Sequence, residues 1–308
     1  MNFYRNNAFT NKRCSKKLFL YLMLPVLLCL ILSCLTNKDN FDDLFDTDGK
    51  GTITNYKGTE TSVIIPARIN RNRITAIGER AFREKELISV TIPNSVTYIG
   101  DHAFFRNRLT SIIIPDSVTH IGEFAFASNQ LMDVTISNSL ASINVSVFRS
   151  NQLESVILPN KITSIELAAF ANNRLTSIII PDSVTYIGNG AFHRNRLTSI
   201  DIPEGVSQIN DYAFGGNLFT NLILPSSIIS IGEYAFSGNN LITVIIPDSV
   251  TSIGEGAFFN NHELEYITIG SNVTVSRIVY FSFHNFYNAN GMRGGTYVLR
   301  NSVWNFID

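Results

Sequence analysis

The sequence predicts a repeat solenoid of about nine coils of 22 residues, with a parallel β-sheet on one face and few or no long helices in the repeats. Three columns of residues predict it, because each column recurs at a step of 22 positions. A unit of this size cannot bury an apolar face alone, so successive coils must stack. The columns are Phe82, Phe104, Phe126, Phe148, Phe170, Phe192, Phe214, Phe236 and Phe258; Asn107, Asn129, Asn151, Asn173, Asn195, Asn217, Asn239 and Asn261; and Pro93, Pro115, Pro159, Pro181, Pro203, Pro225 and Pro247, with Ser137 at the interrupted position.

One coil, residues 175–196, reads LTSIIIPDSVTYIGNGAFHRNR. Residues 177–180 alternate as a strand does, and Pro181 ends that strand. Gly188 is expected to end a second short strand by adopting a conformation that other residues resist. The asparagine column predicts a ladder, in which each amide satisfies backbone groups that a turn leaves unpaired. The side chains predicted to point inward are Leu175, Ile178, Ile180, Val184, Ile187 and Phe192.

The N-terminal segment predicts export. Residues 1–17 are polar and basic, and Leu18–Leu32 is almost wholly apolar. About 15 apolar residues are short of the ~20 that span a bilayer, so residues 1–33 are predicted to be a signal peptide. Ile31-Leu32-Ser33-Cys34 resembles a bacterial lipobox, in which the cysteine becomes the lipidated first residue. An uncleaved anchor and ordinary cleavage near Ser33 are the alternatives.

The rest of the chain is divided by its composition and its repeats. Residues 34–51 are polar and acidic, which favours a tether, and residues 52–273 carry the solenoid. The repeat becomes irregular near its end, before residues 274–308. One extra residue precedes Leu264, and Gly270 takes the place of proline. Terminal repeats are expected to be atypical, since they close the core against water.

The pattern Leu-x-x-Ile-x-Ile-Pro-x-x-Val-x-x-Ile-Gly-x-x-Ala-Phe resembles the BspA-type leucine-rich repeat over roughly residues 52–273. This chain has Asn195-Arg196-Leu197 where that family usually has Cys-x-x-Leu, which shortens the coil by one residue. The resemblance implies a leucine-rich-repeat solenoid displayed on the surface of a bacterial cell. It also implies adhesion to host proteins or to other cell-surface proteins. Residues 274–308 resemble the C-terminal segment of some family members and are predicted to be a C-terminal cap.

Charge and cysteine content exclude some classes of function. The five basic residues of 1–33 leave 19 of the 24 basic residues against 25 acidic ones, a net charge of −6 for the rest of the chain. A mildly acidic protein is not expected to bind nucleic acid, which requires a basic face. The three cysteines are Cys14, Cys29 and Cys34, so no internal disulfide or thiolate metal site is expected after Cys34.

The sequence supplies no candidate catalytic, cofactor-binding or metal-binding residues. The five histidines fall on different columns with no cysteine nearby, which argues against a zinc site. Residues 46–51 resemble the opening of a calcium loop, but Lys50 and Lys57 occupy its fifth and twelfth positions, and a polar tether is the preferred interpretation. Two columns of acids either attract cations or form a solvated turn edge: Glu79, Asp101 and Glu123, and Asp211, Glu233 and Glu255.

The predicted sheet has an outward column that is rich in isoleucine and lies beside a column of small polar residues. An exposed apolar stripe of this kind can dock a protein, although isoleucine also simply favours strands. Arginines cluster at the turn that contains the asparagine column. They either flank such a docking site or keep the protein soluble. The candidate partner-binding face consists of Ile113, Ile157, Ile179, Asp201, Ile223 and Ile245.

Three functions are compatible with this sequence. The preferred one is protein–protein recognition at the cell surface, with extracellular or cell-surface proteins as partners and the membrane reached through an N-terminal lipid on Cys34. The second is a structural or assembly scaffold of the bacterial envelope, in which the solenoid packs against its own kind. The third, an enzyme acting on surface glycans, would need a cleft and a non-repeating acid or nucleophile, and the sequence offers neither.

Overall fold

The computed structural model describes residues 41–271, 273–275, 282–300 and 303–307. The chain divides into two units, residues 1–43 and 44–308, and the second unit is the solenoid. The predicted signal peptide and Cys34 lie outside the described residues. Within the described ranges, no helix is long and apolar enough to cross a membrane.

The repeats form a stack of coils in which each coil contributes short strands to two sheets. The strands of the leucine-side sheet follow the leucine at the start of each coil. The strands of the glycine-side sheet come directly before the glycine column, which consists of Gly78, Gly100, Gly122, Gly188, Gly232 and Gly254. The leucine-side strands are β3 (Ser62–Ile64), β7 (Ser89–Thr91), β9 (Ser111–Ile113), β11 (Asp133–Thr135), β16 (Asn221–Ile223), β18 (Thr243–Ile245) and β20 (Tyr266–Ile269). The glycine-side strands are β2 (Thr52–Tyr56), β6 (Ala76–Ile77), β8 (Tyr98–Ile99), β10 (His120–Ile121), β12 (Ser142–Ile143), β13 (Ser164–Ile165), β14 (Tyr186–Ile187), β15 (Gln208–Ile209), β17 (Ser230–Ile231), β19 (Ser252–Ile253) and β21 (Thr274–Val275).

Pairing within both sheets is parallel, and partners stand one coil apart. Ser111 pairs with Asp133, and Ser230 pairs with Ser252. The described repeats contain no α-helix, so the predicted solenoid with a parallel sheet on one face is confirmed. All six side chains predicted to point inward in the coil 175–196 are buried.

Phenylalanine rings form a continuous stack along the core. The rings of Phe126 and Phe148 are 5.9 Å apart between centroids, and those of Phe148 and Phe170 are 5.6 Å apart. Both pairs are close to parallel, at 10° and 16°. Side chains that are 22 residues apart in sequence are therefore neighbours along the solenoid axis, as the repeat predicted.

The asparagine column forms the predicted ladder. Asn173 Nδ2 donates hydrogen bonds to the carbonyl oxygens of Phe170 in its own coil and Phe148 in the preceding coil, at 3.1 and 2.9 Å. Its Oδ1 accepts the N–H of Leu153 at 3.1 Å. Each buried asparagine thus joins two coils through backbone groups that have no partner in a strand.

The interpretation of Gly188 was wrong. The backbone of Gly188 is not left-handed; instead, a Cβ atom at this position would lie 2.7 Å from the backbone nitrogen of Leu167 in the preceding coil. Glycine is favoured here by the close approach of two coils. The left-handed residues of this coil are Gly190 and Arg194, with φ of 60° and 54°. Most other coils also carry two such residues, four positions apart, as at His102 and Arg106.

Neither sheet is continuous. The glycine-side sheet stops between Ile121 and Ile143 and again between Ile187 and Ile209. At both interruptions asparagine replaces the glycine of the column, and the asparagine side chain makes the hydrogen bond that the glycine backbone N–H makes in other coils. Asn210 Nδ2 donates to the carbonyl oxygen of Ile187 at 2.6 Å, where Gly232 N donates to the corresponding carbonyl of Ile209 at 2.7 Å.

The leucine-side sheet also breaks into pieces. β3 pairs only with β7, and β9 pairs only with β11. The strand expected at residues 177–180 is reduced to a single parallel bridge between Ile157 and Ile179. The alternation of inward and outward side chains nevertheless continues through these coils, because Ile178 and Ile180 are buried while Ile179 is exposed.

The coil 131–152 departs most from the repeat. Ser137 stands in the proline column, Asn144 in the glycine column and Val147 in the alanine column. The ring spacing from Phe126 to Phe148, 5.9 Å, exceeds the 5.2 Å from Phe104 to Phe126. The glycine-side sheet stops just before this coil, and the leucine-side sheet stops just after it.

The folded region begins before residue 52. A 3-10 turn at Phe41–Leu44 precedes β1 (Phe45–Thr47), which pairs antiparallel with β2. Phe45 is 4% exposed, and its ring lies 5.4 Å from that of Tyr56. Residues 45–51 were assigned to the tether, but an apolar side chain anchors them to the first coil. Between Pro66 and Gly78 the chain has five residues more than between Pro93 and Gly100, and a short hairpin, β4 (Arg68–Ile69) with β5 (Asn72–Arg73), accounts for them.

The C-terminal segment covers the last leucine-side strand. Helix α1 (Ser282–Ala289) is followed by β22 (Gly295–Arg300) and β23 (Val303–Phe306). β22 pairs antiparallel with β20 and with β23, so β20 is not a free edge. Tyr287, Tyr297 and Trp304 are buried. The predicted cap began at residue 274, whereas Thr274–Val275 still forms the last parallel strand of the glycine-side sheet.

Candidate functional site

The candidate site is the exposed side of the leucine-side sheet, named here the isoleucine face. Strand alternation positions it, because the residues on either side of each outward isoleucine are buried and hold it in place. Ile178 is 8% exposed and Ile179 is 85% exposed, although they are neighbours with the same side chain. The exposed isoleucines are therefore fixed on the surface by their position in the coil.

The structure brings all six predicted face residues into one column. Five of them are isoleucines with large exposed fractions, and Asp201, also exposed, interrupts them. The exposed fractions are 70% for Ile113, 88% for Ile157, 85% for Ile179, 72% for Ile223 and 41% for Ile245.

Two exposed members of this face were missed from the sequence. Ile64 is 44% exposed and stands two residues before Pro66, as Ile179 stands before Pro181. Its spacing to the proline is therefore the signal that would have identified it. Tyr266 is 38% exposed and lies in the neighbouring column, which is otherwise made of small polar side chains. No repeat signal predicts a tyrosine there.

The neighbouring column forms a trough beside the isoleucine ridge. It holds serine in four central coils, and these side chains are exposed. An isoleucine side chain rises well above a serine, so the face has a ridge and a trough that run parallel to the solenoid axis. The trough residues opposite the isoleucines are Ser111, Ser155, Ser177, Asn221 and Thr243, with Ser199 beside Asp201.

A shallow groove of about 400 Å³ opens where the leucine-side sheet breaks. Its lining includes Asp133 and Thr135 of β11 together with Ser155, Ile157 and Asn160 of the next coil. The most exposed isoleucine of the face, Ile157, therefore borders this groove.

The two edges of the isoleucine face carry opposite charge. Exposed arginines precede the strands, and exposed acids follow the prolines at the strand ends. The ion pairs found in the described ranges are Lys57–Asp46, Arg80–Glu79, Arg83–Glu84 and Arg106–Glu84, all near the first coils. The edge arginines Arg108, Arg174 and Arg196 take part in none of them. Their charge is available to a partner.

The calcium-like loop at residues 46–51 is the turn of the β1–β2 hairpin. Asp46 lies 2.9 Å from the ammonium group of Lys57, and Asp48 accepts backbone N–H groups of Lys50 and Thr52 at 2.7 and 2.9 Å. These hydrogen bonds hold the pKa of both carboxyls below the ordinary value. Both carboxylates are thus occupied in the turn, and no group of three or more metal-ligating side chains occurs among the described residues.

The acidic columns also have a role in the turns. Asp101 accepts the backbone N–H of Glu123 at 2.9 Å, and Asp211 accepts that of Glu233 at 2.8 Å. Each bond joins one coil to the next. Of the two interpretations offered for these columns, a solvated turn edge accounts for the aspartates.

The described histidines lie mainly in aromatic contacts. His102 stacks on Phe124 at 5.0 Å, and His120 stacks on Tyr98 at 4.9 Å. His193 packs edge-on against Tyr212 at 5.8 Å. Burial, followed by the nearby Arg194 charge, lowers the pKa of His193 below 6.5.

Comparison with known proteins identifies the repeat. The model of the BspA-type leucine-rich repeat region matches residues 75–197 and 185–293, with six copies of the repeat. No curated protein matches the chain. The repeat match covers most of the solenoid and both edges of the isoleucine face.

Solved structures of bacterial proteins are similar in fold. The pneumococcal vaccine antigen PcpA is 18% identical, with a TM-score of 0.52 over 76% of this chain and 83% of its own. A leucine-rich cell surface protein of Faecalibacterium prausnitzii A2-165 is 24% identical, with a TM-score of 0.44 over 81% and 94%. A leucine-rich-repeat protein of Bacteroides ovatus ATCC 8483 is 21% identical, with a TM-score of 0.46 over 74% and 69%. The likeness to PcpA supports the solenoid fold.

Proposed function

Because the chain belongs to the BspA-type leucine-rich-repeat family, we propose that it is a lipid-anchored protein of a bacterial cell surface that recognises other proteins through its isoleucine face. Adhesion, to host proteins or to other cells, is the activity that this recognition serves. Extracellular or cell-surface proteins are the partners, and the N-terminal lipid on Cys34 is the link to the membrane.

One observation carries the recognition part of this proposal. Five isoleucines between 41% and 88% exposed stand in a single column on one side of the solenoid, interrupted by Thr135 and Asp201, although soluble proteins rarely leave large apolar patches in water. The core is filled by Ile178 and its equivalents, so the exposed isoleucines do not contribute to it. The column therefore supports contact with another protein.

Substitution of the face tests this function. Ile157→Ser, Ile179→Ser and Ile223→Ser are combined in residues 44–308, a unit with its own core. A matched triple variant, Leu167→Ser, Tyr186→Ser and Tyr212→Ser, removes exposed apolar side chains elsewhere on the solenoid. Binding to coats of purified extracellular-matrix proteins and to intact bacterial cells is measured for both. We expect a loss of at least about tenfold for the face variant alone, as for the central residues of an interface. Equal binding by both variants would reject the face.

The anchor is tested separately. Cys34→Ala in the full chain is expected to abolish lipid labelling and to move the protein out of the membrane fraction, because the acylated side chain is lost. Continued lipid labelling would refute the assignment of Cys34.

The second candidate, a scaffold of the envelope, is favoured by the regular stack of similar coils, which offers the same surface at each step of 22 residues. Deleting the gene separates the two functions. Loss of adhesion with an intact envelope supports recognition, whereas loss of envelope integrity supports the scaffold.

A further inference from the structure

We propose that the isoleucine face docks onto the isoleucine face of a second copy of this chain. The two solenoids lie side by side and point the same way, with equal coils at equal height. This inference rests on the proposed function, because it names the protein that occupies the same face. Three properties of the face support it, and each is complementary to itself under a twofold rotation about an axis parallel to the solenoid axis.

The rotation determines which residues of the two copies face each other. It preserves height along the solenoid and reverses the direction of the facing strands. The start of each strand in one copy therefore faces the end of the same strand in the other. The ridge column of one copy comes to lie over the trough column of the other.

Shape is the first complementary property. Ile179, 85% exposed, faces Ser177 of the second copy, so the tall side chain meets a short one. The same match holds for Ile113 with Ser111 and for Ile157 with Ser155. The two isoleucine ridges lie side by side, each in the trough of the other copy, as side chains of packed sheets interdigitate.

The interruption of the ridge fits the same arrangement. Asp201 faces Ser199 of the second copy, a hydroxyl that can donate a hydrogen bond to the carboxylate. Asp133 likewise faces Thr135. No acid is placed opposite an acid on the face.

Charge at the edges is the second property. The rotation places the arginine edge of each copy against the acidic edge of the other. A twofold axis along the strands would instead place arginine against arginine, which repulsion disfavours. Face-to-face pairing therefore has one favourable orientation, and it puts the N-terminal ends of both solenoids on the same side.

The third property is that the two edges match coil by coil. Three coils have arginine before the strand and an acid after it: Arg108 with Asp116, Arg174 with Asp182, and Arg196 with Glu204. The two coils between the first and second of these have neutral amides at both positions: Gln130 with Asn138, and Gln152 with Asn160. Equal coils at equal height bring each arginine to an acid and each amide to an amide. Two coils near the C-terminal end depart, with Leu218 and Ser226 in one and Asn240 and Asp248 in the other.

Among the described residues these edge charges take part in no ion pair, although Asp116 accepts hydrogen bonds from Asn138 of the next coil. Arg174 and Asp182 are eight residues apart along an extended segment, about 26 Å, which is beyond the reach of both side chains. Neither residue takes part in an ion pair in the described part of the chain. A second copy supplies the missing partner for both.

The area of the face is sufficient for a stable contact. Seven coils, those that begin at residues 109, 131, 153, 175, 197, 219 and 241, stack at about 4.8 Å each and span about 26 Å from edge to edge. That is on the order of 900 Å², against about 800 Å² for each partner in a specific complex.

Charge exchange tests the pairing. The basic-edge variant carries Arg174→Glu and Arg196→Glu, and the acidic-edge variant carries Asp182→Arg and Glu204→Arg. The mass of residues 44–308 is measured by analytical ultracentrifugation over a range of concentrations. We expect a wild-type dimer and at least a tenfold weaker association for each variant alone, because like charges then face each other. An equimolar mixture of the two variants is expected to form a heterodimer, and the chain with all four substitutions is expected to dimerise again.

Two controls keep the outcome decisive. Arg71→Glu with Arg73→Glu removes two exposed arginines of the β4–β5 hairpin, outside the face, and should leave the dimer unchanged. Circular dichroism establishes that every variant is folded. A monomeric wild type, or variants that dimerise as the wild type does, would overturn this inference. If such a monomer still loses binding to other proteins on substitution of the isoleucines, the proposed function stands without the second copy.

Discussion

Asn239 and Phe214 belong to different coils, and Asn239 Nδ2 donates a hydrogen bond to the carbonyl oxygen of Phe214 at 3.1 Å. The same amide group donates to Phe236 in its own coil, and its Oδ1 accepts the N–H of Phe219. One buried side chain thus satisfies three backbone groups in two neighbouring coils.

We therefore expect Asn239→Ala to lower the free energy of unfolding by about 3 kcal/mol, because the three backbone groups lose their partner in a buried site. The matched control is Asn240→Ala, whose side chain is exposed, and a change within about 0.5 kcal/mol is expected there. Urea unfolding of residues 44–308 measures both. Equal losses for the two variants would contradict a structural role of the ladder.

The asparagines in the glycine column give a second prediction. Asn210→Ala removes the donor to the carbonyl oxygen of Ile187, and we expect a loss of about 1–2 kcal/mol in the free energy of unfolding. Asn210→Gly should lose less, because a glycine at this position can approach closely enough to donate its backbone N–H, as Gly232 does to Ile209. Hydrogen exchange at residue 210 should slow in the glycine variant. Exchange as fast as in the alanine variant would show that the backbone bond has not formed.

Ile178 and Ile179 allow a test of the face on adjacent residues. Ile178→Ala should cost about 2–5 kcal/mol in the free energy of unfolding, because the side chain is buried in the core. Ile179→Ala should change it by no more than about 0.5 kcal/mol, since that side chain is 85% exposed. Denaturant unfolding at a concentration where the protein is monomeric measures both. A large loss at Ile179 would mean that the exposed column stabilises the solenoid itself.

The pKa of His193 predicts a dependence of stability on pH. Because burial lowers this pKa in the folded protein, the unfolded chain binds a proton near pH 6.5 while the folded chain does not. The contribution of neutral His193 to stability is therefore fully present above pH 6.5, and it is lost as the pH falls towards the pKa of the folded protein. We expect a lower Tm at pH 5 than at pH 7.5, and a smaller decrease in His193→Gln. An unchanged decrease in that variant would contradict the assignment.

The titration of the carboxyls does not contribute to the decrease in Tm between pH 7.5 and pH 5. The pKa values of Asp46, Glu84 and Asp116 are also lowered in the folded protein, by hydrogen bonds to Lys57, Arg83 and Asn138 respectively. Their contribution is lost only as the pH falls below their unfolded values, at about 4. Thermal melting between pH 5 and 7.5 therefore lies above the range in which these carboxyls titrate.

The repeat made much of the core predictable. Phe148 stacks on its neighbours, and Asn173 bonds two coils, because identical side chains at a fixed step must lie above one another. The exposure of Ile179 followed from the alternation of a strand whose other residues are buried. These outcomes need only the period of the sequence and the inward direction of the apolar residues.

Other features required the coordinates. His102 and Arg106 adopt left-handed backbone conformations without being glycine or asparagine, so residue type gave no signal for the turns. Asn144 and Asn210 look like ordinary substitutions in the glycine column, yet they mark the interruptions of a sheet. Phe45 lies in a polar segment, and its burial depends on Tyr56 and Phe82, which sequence distance does not reveal.

The boundary between the coils 175–196 and 197–218 is where the solenoid separates most easily. In a stack that is stabilised only by contacts between adjacent layers, the plane with the poorest contacts opens first when the protein is pulled or partly denatured. At this boundary the glycine-side sheet is interrupted between Ile187 and Ile209, and the leucine-side sheet has no strand pairing between the bridge at Ile179 and β16. A tensile load along the axis would therefore divide the solenoid there. Each of the two shorter stacks of coils would keep its own phenylalanine stack and asparagine ladder.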